Sequence, residues 1–144
     1  MEEIVVKHVD PMLVVTLKGN GEIPDFNKDI DKVYEYLYAQ GLGEQISGPT
    51  IGLFWTKQGG KYLVAVPVKE HINVEGDIRI DTLPEMQCTS LLHTDGPETI
   101  QESFNKLQKY RRQHKMSWIF PVREIYIPSS QEKGKYDTEI QVPI

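Results

Sequence analysis

The chain ends GKYDTEIQVPI (Gly134 to Ile144), and an earlier stretch, GKYLVAVPV (Gly60 to Val68), opens and closes in the same way. Aligned on their Val-Pro endings, the later copy has a carboxylate, Glu139, where the earlier one has Leu63. Gln141 likewise stands where Ala65 does. An isolated acid in a strand is ordinarily a solvated side chain. In a partly dry pocket the same acid is costly to desolvate unpaired, and its pKa rises unless a cation or a donor compensates. A lipophilic cation would supply that charge and also stack on aromatic rings. The candidate rings are Phe54, Trp55, Tyr62, Trp118, Phe120, Tyr126 and Tyr136. A groove acid with a raised pKa could also activate water as a general base, with Tyr126 hydrogen-bonding a leaving oxygen.

Other chemistry is poorly provided for. His8, His71, His93 and His114 do not pair at metal-ligand spacing, and Cys88 has no neighbouring thiol, so neither a metal site nor a cofactor is expected. His93, just ahead of Gly96, reads as a turn residue. The run KYRRQHK (Lys109 to Lys115) reads as a solvated helix end whose cations suit the negative pole of the helix dipole. GLGEQISG (Gly41 to Gly48) lacks the Lys-Ser/Thr of a phosphate-binding loop.

The elements that must position these residues follow from periodicity. The 144 residues, 39% hydrophobic and 26% charged, suit one domain of ordinary size. A net charge of −5 argues against nonspecific nucleic-acid binding. No apolar run approaches membrane-spanning length, and the acidic start has no signal-peptide core. With a single cysteine, a cytoplasmic location is expected. Phe26, Ile30, Val33 and Leu37 form one helical stripe, with Asp25 as a cap and Gly41 as a stop. Ile100, Phe104, Leu107 and Tyr110 form a second, behind Pro97. Strand candidates precede the helices at Met12–Glu22 and Gln87–Glu98. Others follow them at Thr50–Lys57 and Lys61–Val68, and at Val122–Pro128 and Tyr136–Ile144. Gly59-Gly60 and the loop from Ser129 to Gly134 would close the hairpins. EIVVKHV near the start predicts an edge strand, and the segment His71 to Pro84 a bridge between halves.

Each half thus reads strand, helix, strand, strand. The expected fold is α+β, with duplicated βαββ halves (about 1–70 and 85–144) related by a pseudo-two-fold axis. The sheet would be mostly antiparallel, within a single domain spanning 1–144. With one face of each sheet covered by its helix, the two free faces would enclose a groove. Strand alternation sends Ile140, Val142 and Ile144 toward the helices, and Glu139, Gln141 and Pro143 toward the groove. Leu63 and Ala65 then form the facing wall. Ile125 would point inward, and Tyr126 toward the groove.

The strand leading into LHTDGPE, the helix after it, the Pro-led hairpin and the terminal TEIQVPI resemble the GyrI-like small-molecule-binding family. This family includes effector-binding domains of AraC-type and MerR-type regulators and free-standing DNA gyrase inhibitors. The resemblance implies binding of amphipathic, often cationic compounds in service of transcriptional regulation or drug and toxin resistance. It also makes Glu139 the ligand-facing acid, beside Gln141, Leu63, Ala65, Tyr126, Trp55 and Trp118. Some members resemble hydrolases of strained, cyclopropane-bearing alkylating compounds; there Glu139 and Tyr126 would be catalytic. A topoisomerase-inhibiting protein-interaction module is a third expectation. No helix-turn-helix precedes the first strand, so the resemblance implies a free-standing domain and argues against direct DNA binding. The first turn, KGNGE, lacks the Gly-Pro of the second, and Glu98 follows GP where many members carry an aromatic residue.

Overall fold

The computed structural model describes residues 3–56, 60–129 and 133–144. Of the expected hairpin connections, Gly59 and residues 130–132 lie outside this set. Eight strands are present: β1 (Val5–Val9), β2 (Met12–Asn20), β3 (Ile51–Phe54), β4 (Lys61–Pro67), β5 (Arg79–Leu83), β6 (Met86–His93), β7 (Val122–Pro128) and β8 (Tyr136–Pro143). The helices are α1 (Ile23–Ala39) and α2 (Ile100–Gln113). Asp25, expected as a cap, lies one turn further in. Its Oδ2 accepts from the Glu22 N–H at 3.1 Å, which occupies an otherwise unpaired donor at the helix start. Gly41 ends α1 with φ of 72°, and the Leu42 N–H returns to the Leu37 carbonyl at 2.8 Å.

All strands join one antiparallel sheet in the order β1-β6-β8-β7-β3-β4-β2-β5. The halves meet edge to edge where β3 pairs with β7. The segment expected to bridge them contributes β5 at one edge, and EIVVKHV supplies β1 at the other. β5 runs into β6 through Pro84 and Glu85 alone, although β8, β7, β3, β4 and β2 lie between them. In a flat sheet those strands would be ~29 Å apart at ~4.8 Å per spacing. A link of that length reaches only ~10 Å, so the sheet has to curl, and the result is a half-barrel.

Directly paired residues share a face, so the register separates the two sides. One row runs Leu91, Ile140, Glu124, Gly52, Val64, Leu17. The neighbouring row, on the other face, runs Leu92, Glu139, Ile125, Ile51, Ala65, Thr16. Both helices pack on the first face. α1 sets Phe26, Val33 and Leu37 against Val15, Tyr62, Val64 and Val66. α2 sets Leu107 against Leu91, Ile140 and Val142. Ile140 and Val142 therefore face the helices as expected.

The second face differs from the expectation. It lines the inside of the curl, where Val14, Ile51, Leu53, Ala65 and Leu83 pack on one another without a helix. Curling closes the space in which a groove between free faces would have formed. Ile125 belongs to this second core and not, as expected, to the helix side.

The basic run also departs from its expectation. Arg111, taken as part of a solvated helix end, is only 2% exposed. Its guanidinium donates to Thr89 Oγ1 at 2.8 Å and to the carbonyls of Val142 (3.1 Å), Pro143 (2.7 Å) and Ser117. One side chain thereby joins α2 to β6, β8 and the segment after the helix.

Candidate functional site

α1 lies over β2 and β4 and α2 over β6, leaving the central strands β3 and β7 uncovered between them. A cavity of about 670 Å³ fills this gap. β3 and β7 contribute Phe54, Val122, Glu124 and Tyr126 to it, with Phe26 from α1 and Phe104 from α2. Tyr62, Trp118, Phe120, Tyr136 and Thr138 also line it. The rings form a connected set. Phe26 lies 5.1 Å from Phe54, 5.2 Å edge-on from Tyr62 and 6.0 Å from Tyr126, and Tyr126 lies 5.5 Å from Tyr136.

Glu124 stands on the sheet among these rings, and the Tyr126 hydroxyl donates to its Oε1 at 3.0 Å. No lysine, arginine or histidine lines the cavity among the described residues; the other acid on its wall is the exposed Glu22. Glu124 keeps some accessible surface toward the cavity but is densely surrounded by protein. Burial pushes its pKa up from 4.5 to about 7, and the Tyr126 hydrogen bond opposes the rise without cancelling it. Tyr126 is itself held well above its ordinary value by burial and by the Glu124 charge. The Tyr62 hydroxyl donates to Asp29 Oδ2 at 2.6 Å, which fixes a second ring of the wall to α1.

Glu124 occupies a particular place in the duplication. Matching Pro49 with Pro121 makes Gly52 its counterpart, and the two are paired directly across β3 and β7. The pseudo-two-fold axis passes between them. One copy carries the acid and the other carries no side chain.

The expected site residues separate between the two faces. Tyr126 and Trp118 line the cavity. Leu63, Ala65 and Trp55 belong to the core of the opposite face. Glu139 and Gln141 are also on that face: Glu139 is paired across the sheet with Leu92 and Ile125, and Gln141 with Ser90 and Arg123. The geometric expectation for Glu139 is corrected accordingly. It pairs with Lys7 at 2.5 Å and accepts from Ser90 Oγ and Gln141 Nε2, each at 2.8 Å. Burial alone would raise its pKa. The bonds from Gln141, Lys7 and Ser90, with the Lys7 charge, outweigh burial and leave it lowered. Glu124, Phe26 and Phe104 were missed as site residues, although alternation alone puts Glu124 on the face of Tyr126.

Comparison with curated protein sequences finds no match. Solved structures do match, and those that follow share identities that bear on fold alone. The chain is similar to the C-terminal domain of EcmrR, with a TM-score of 0.87, 16% identity and coverage of 99% of this chain and 97% of that one. It is similar to a hydrolase from Listeria innocua, with a TM-score of 0.69, 12% identity and coverage of 98% and 91%. It also resembles SAV2435, solved bound to tetraphenylphosphonium, with a TM-score of 0.62, 17% identity and coverage of 98% and 93%. The sequence itself matches the family model across residues 2–144, and the chain belongs to the GyrI-like small molecule binding domain family.

Proposed function

We propose that the cavity binds a lipophilic organic cation, with Glu124 as its counter-charge and Phe26, Phe54, Phe104, Trp118 and Tyr126 as its aromatic wall. One observation carries this reading: a carboxylate sits among rings, on a wall whose described residues include no basic side chain, with a neutral hydroxyl as its partner. Desolvation makes the bare carboxylate costly, and a bound cation relieves that cost while resting on ring faces. The volume of about 670 Å³ suits a ligand of drug size. The tetraphenylphosphonium found on SAV2435 is such a cation and supplies a probe. In calorimetric titrations at pH 8, tetraphenylphosphonium should bind the parent saturably and Glu124→Gln about tenfold or more weakly, because the pairing charge is gone. Neutral triphenylphosphine oxide should discriminate far less between the two proteins. Equal phosphonium affinity would exclude Glu124 as the counter-charge.

A second reading is favoured by the same pair of residues. A carboxyl poised near 7 beside a phenol is suited to general-base activation of water on a strained electrophile. Incubation with a cyclopropane-bearing alkylator, followed by mass spectrometry, tests it. A hydrolysed product formed by the parent but not by Glu124→Gln supports turnover; unchanged compound excludes it.

A further inference from the structure

Gly52 lies in the middle of β3, directly across from Glu124, and is buried. It is not among the residues with positive φ, so the backbone there does not call for glycine. The space does. A Cβ built on Gly52 would stand 2.7 Å from Phe54 Cε2, 2.8 Å from Phe26 Cζ and 2.8 Å from the Tyr126 hydroxyl oxygen. These are far closer than carbon contacts allow. Three cavity side chains from β3, α1 and β7 thus converge on the volume that a side chain at Gly52 would fill. One of them is the hydroxyl that donates to Glu124.

We propose that Gly52 is a positioning residue of the cavity: its missing side chain lets the Tyr126 hydroxyl close on Glu124 and lets Phe26 and Phe54 meet beside it, and so sets the affinity for a cationic ligand. The affinity part rests on the counter-charge reading above. The pseudo-symmetry gives the physical sense. Two acids facing each other across the axis would repel in a dry site. Any larger side chain in place of Gly52 would push the phenol away from the one acid that remains.

Each clashing atom is the far end of a side chain, so Gly52→Ala should move rings and leave the strand intact. The displaced Tyr126 hydroxyl then no longer supports the ionised form of Glu124. Other titratable groups near the cavity are Tyr62 with Asp29 behind it, from β4 and α1, Tyr136 from β8, and the exposed Glu22 at the start of α1; α2 contributes Gln101 and Gln108 without charge. None of these is in the path of the added methyl group.

The test compares Gly52→Ala and Tyr126→Phe with the parent by two readouts. The first is the ligand-free titration of the Glu124 carboxyl, followed by NMR of ¹³C-labelled glutamate side chains. The second is tetraphenylphosphonium affinity across neutral pH. Both variants should raise the Glu124 midpoint above the parent's, which is about 7, by about one pH unit, and weaken phosphonium binding at pH 7 about fivefold. In the Tyr126→Phe background, Gly52→Ala should add no further movement of the midpoint, because both act through one hydrogen bond. A parent-like midpoint in Tyr126→Phe overturns the proposal even where Gly52→Ala fails to fold. A full additional shift in the double variant also overturns it. Failure of the counter-charge reading looks different: Glu124→Gln then binds phosphonium as the parent does, while Gly52→Ala still moves the Glu124 midpoint.

Discussion

Replacing Glu124 by glutamine should stabilise the protein, by an amount that grows as pH rises from 4.5 to about 7. The carboxyl titrates at about 7 in the folded chain against 4.5 as its ordinary value, because burial disfavours its charged form. A raised acid binds more protons folded than unfolded between those two values. Stability therefore falls as pH rises through that window, and the full cost is present above it. The displacement corresponds to about 3 kcal/mol. Glutamine keeps the shape and still accepts from Tyr126 but never ionises. Urea denaturation at pH 4, below both values, should give parent and variant free energies within about 0.5 kcal/mol of each other. At pH 8.5 the variant should be more stable by up to about 3 kcal/mol, or roughly 2–4 °C in Tm per kcal/mol. Glu139, whose pKa is lowered, responds in the opposite sense at more acidic pH, but it is common to both proteins and cancels in the comparison. The same gap at both pH values, or a less stable variant at pH 8.5, would refute desolvation as the origin of the shift.

Other consequences can be checked separately. Glu139→Gln should leave phosphonium affinity within about twofold of the parent, since its carboxylate is on the far face beside Lys7, and should cost on the order of 1 kcal/mol of stability by urea denaturation. Arg111→Ala should cost about 3 kcal/mol or more in the same assay, because it removes a buried side chain that donates to Thr89 and to the carbonyls of Ser117, Val142 and Pro143; Arg112→Ala, on the exposed side of α2, should cost little. Phosphonium binding should alter Trp118 fluorescence and spare Trp55, so the ligand response should persist in Trp55→Phe and vanish in Trp118→Phe.

Strands and helices were legible because their cause is local. The stripe Phe26, Ile30, Val33, Leu37 fixes a helix face, and the paired Val-Pro endings identify β4 and β8 as equivalents. Alternation also sorted Ile140 and Val142 correctly onto the helix side. It could not say which face would hold a cavity, because that depends on how the halves meet. Two sheets facing each other would have put Glu139 in the groove. Joined edge to edge through β3 and β7, they form one curled sheet whose inner face is closed, and the opening lies between the helices. Comparing β4 with β8 singles out Glu139, which stands against Leu63. The same comparison between β3 and β7 sets Glu124 against Gly52 and was available in the sequence. Arg111 was misread for a related reason: a basic run looks uniform in sequence, and only the approach of β8 singles out one member for burial.

The most direct measurement is a crystal structure of the protein with tetraphenylphosphonium. The phosphonium should lie between α1 and α2, its phenyl groups against Phe26, Phe54, Trp118 and Tyr126, with Glu124 as the nearest carboxylate. A phosphonium seated on the opposite face beside Glu139, or outside the cavity altogether, would contradict the assignment of the site to the helix face of the sheet.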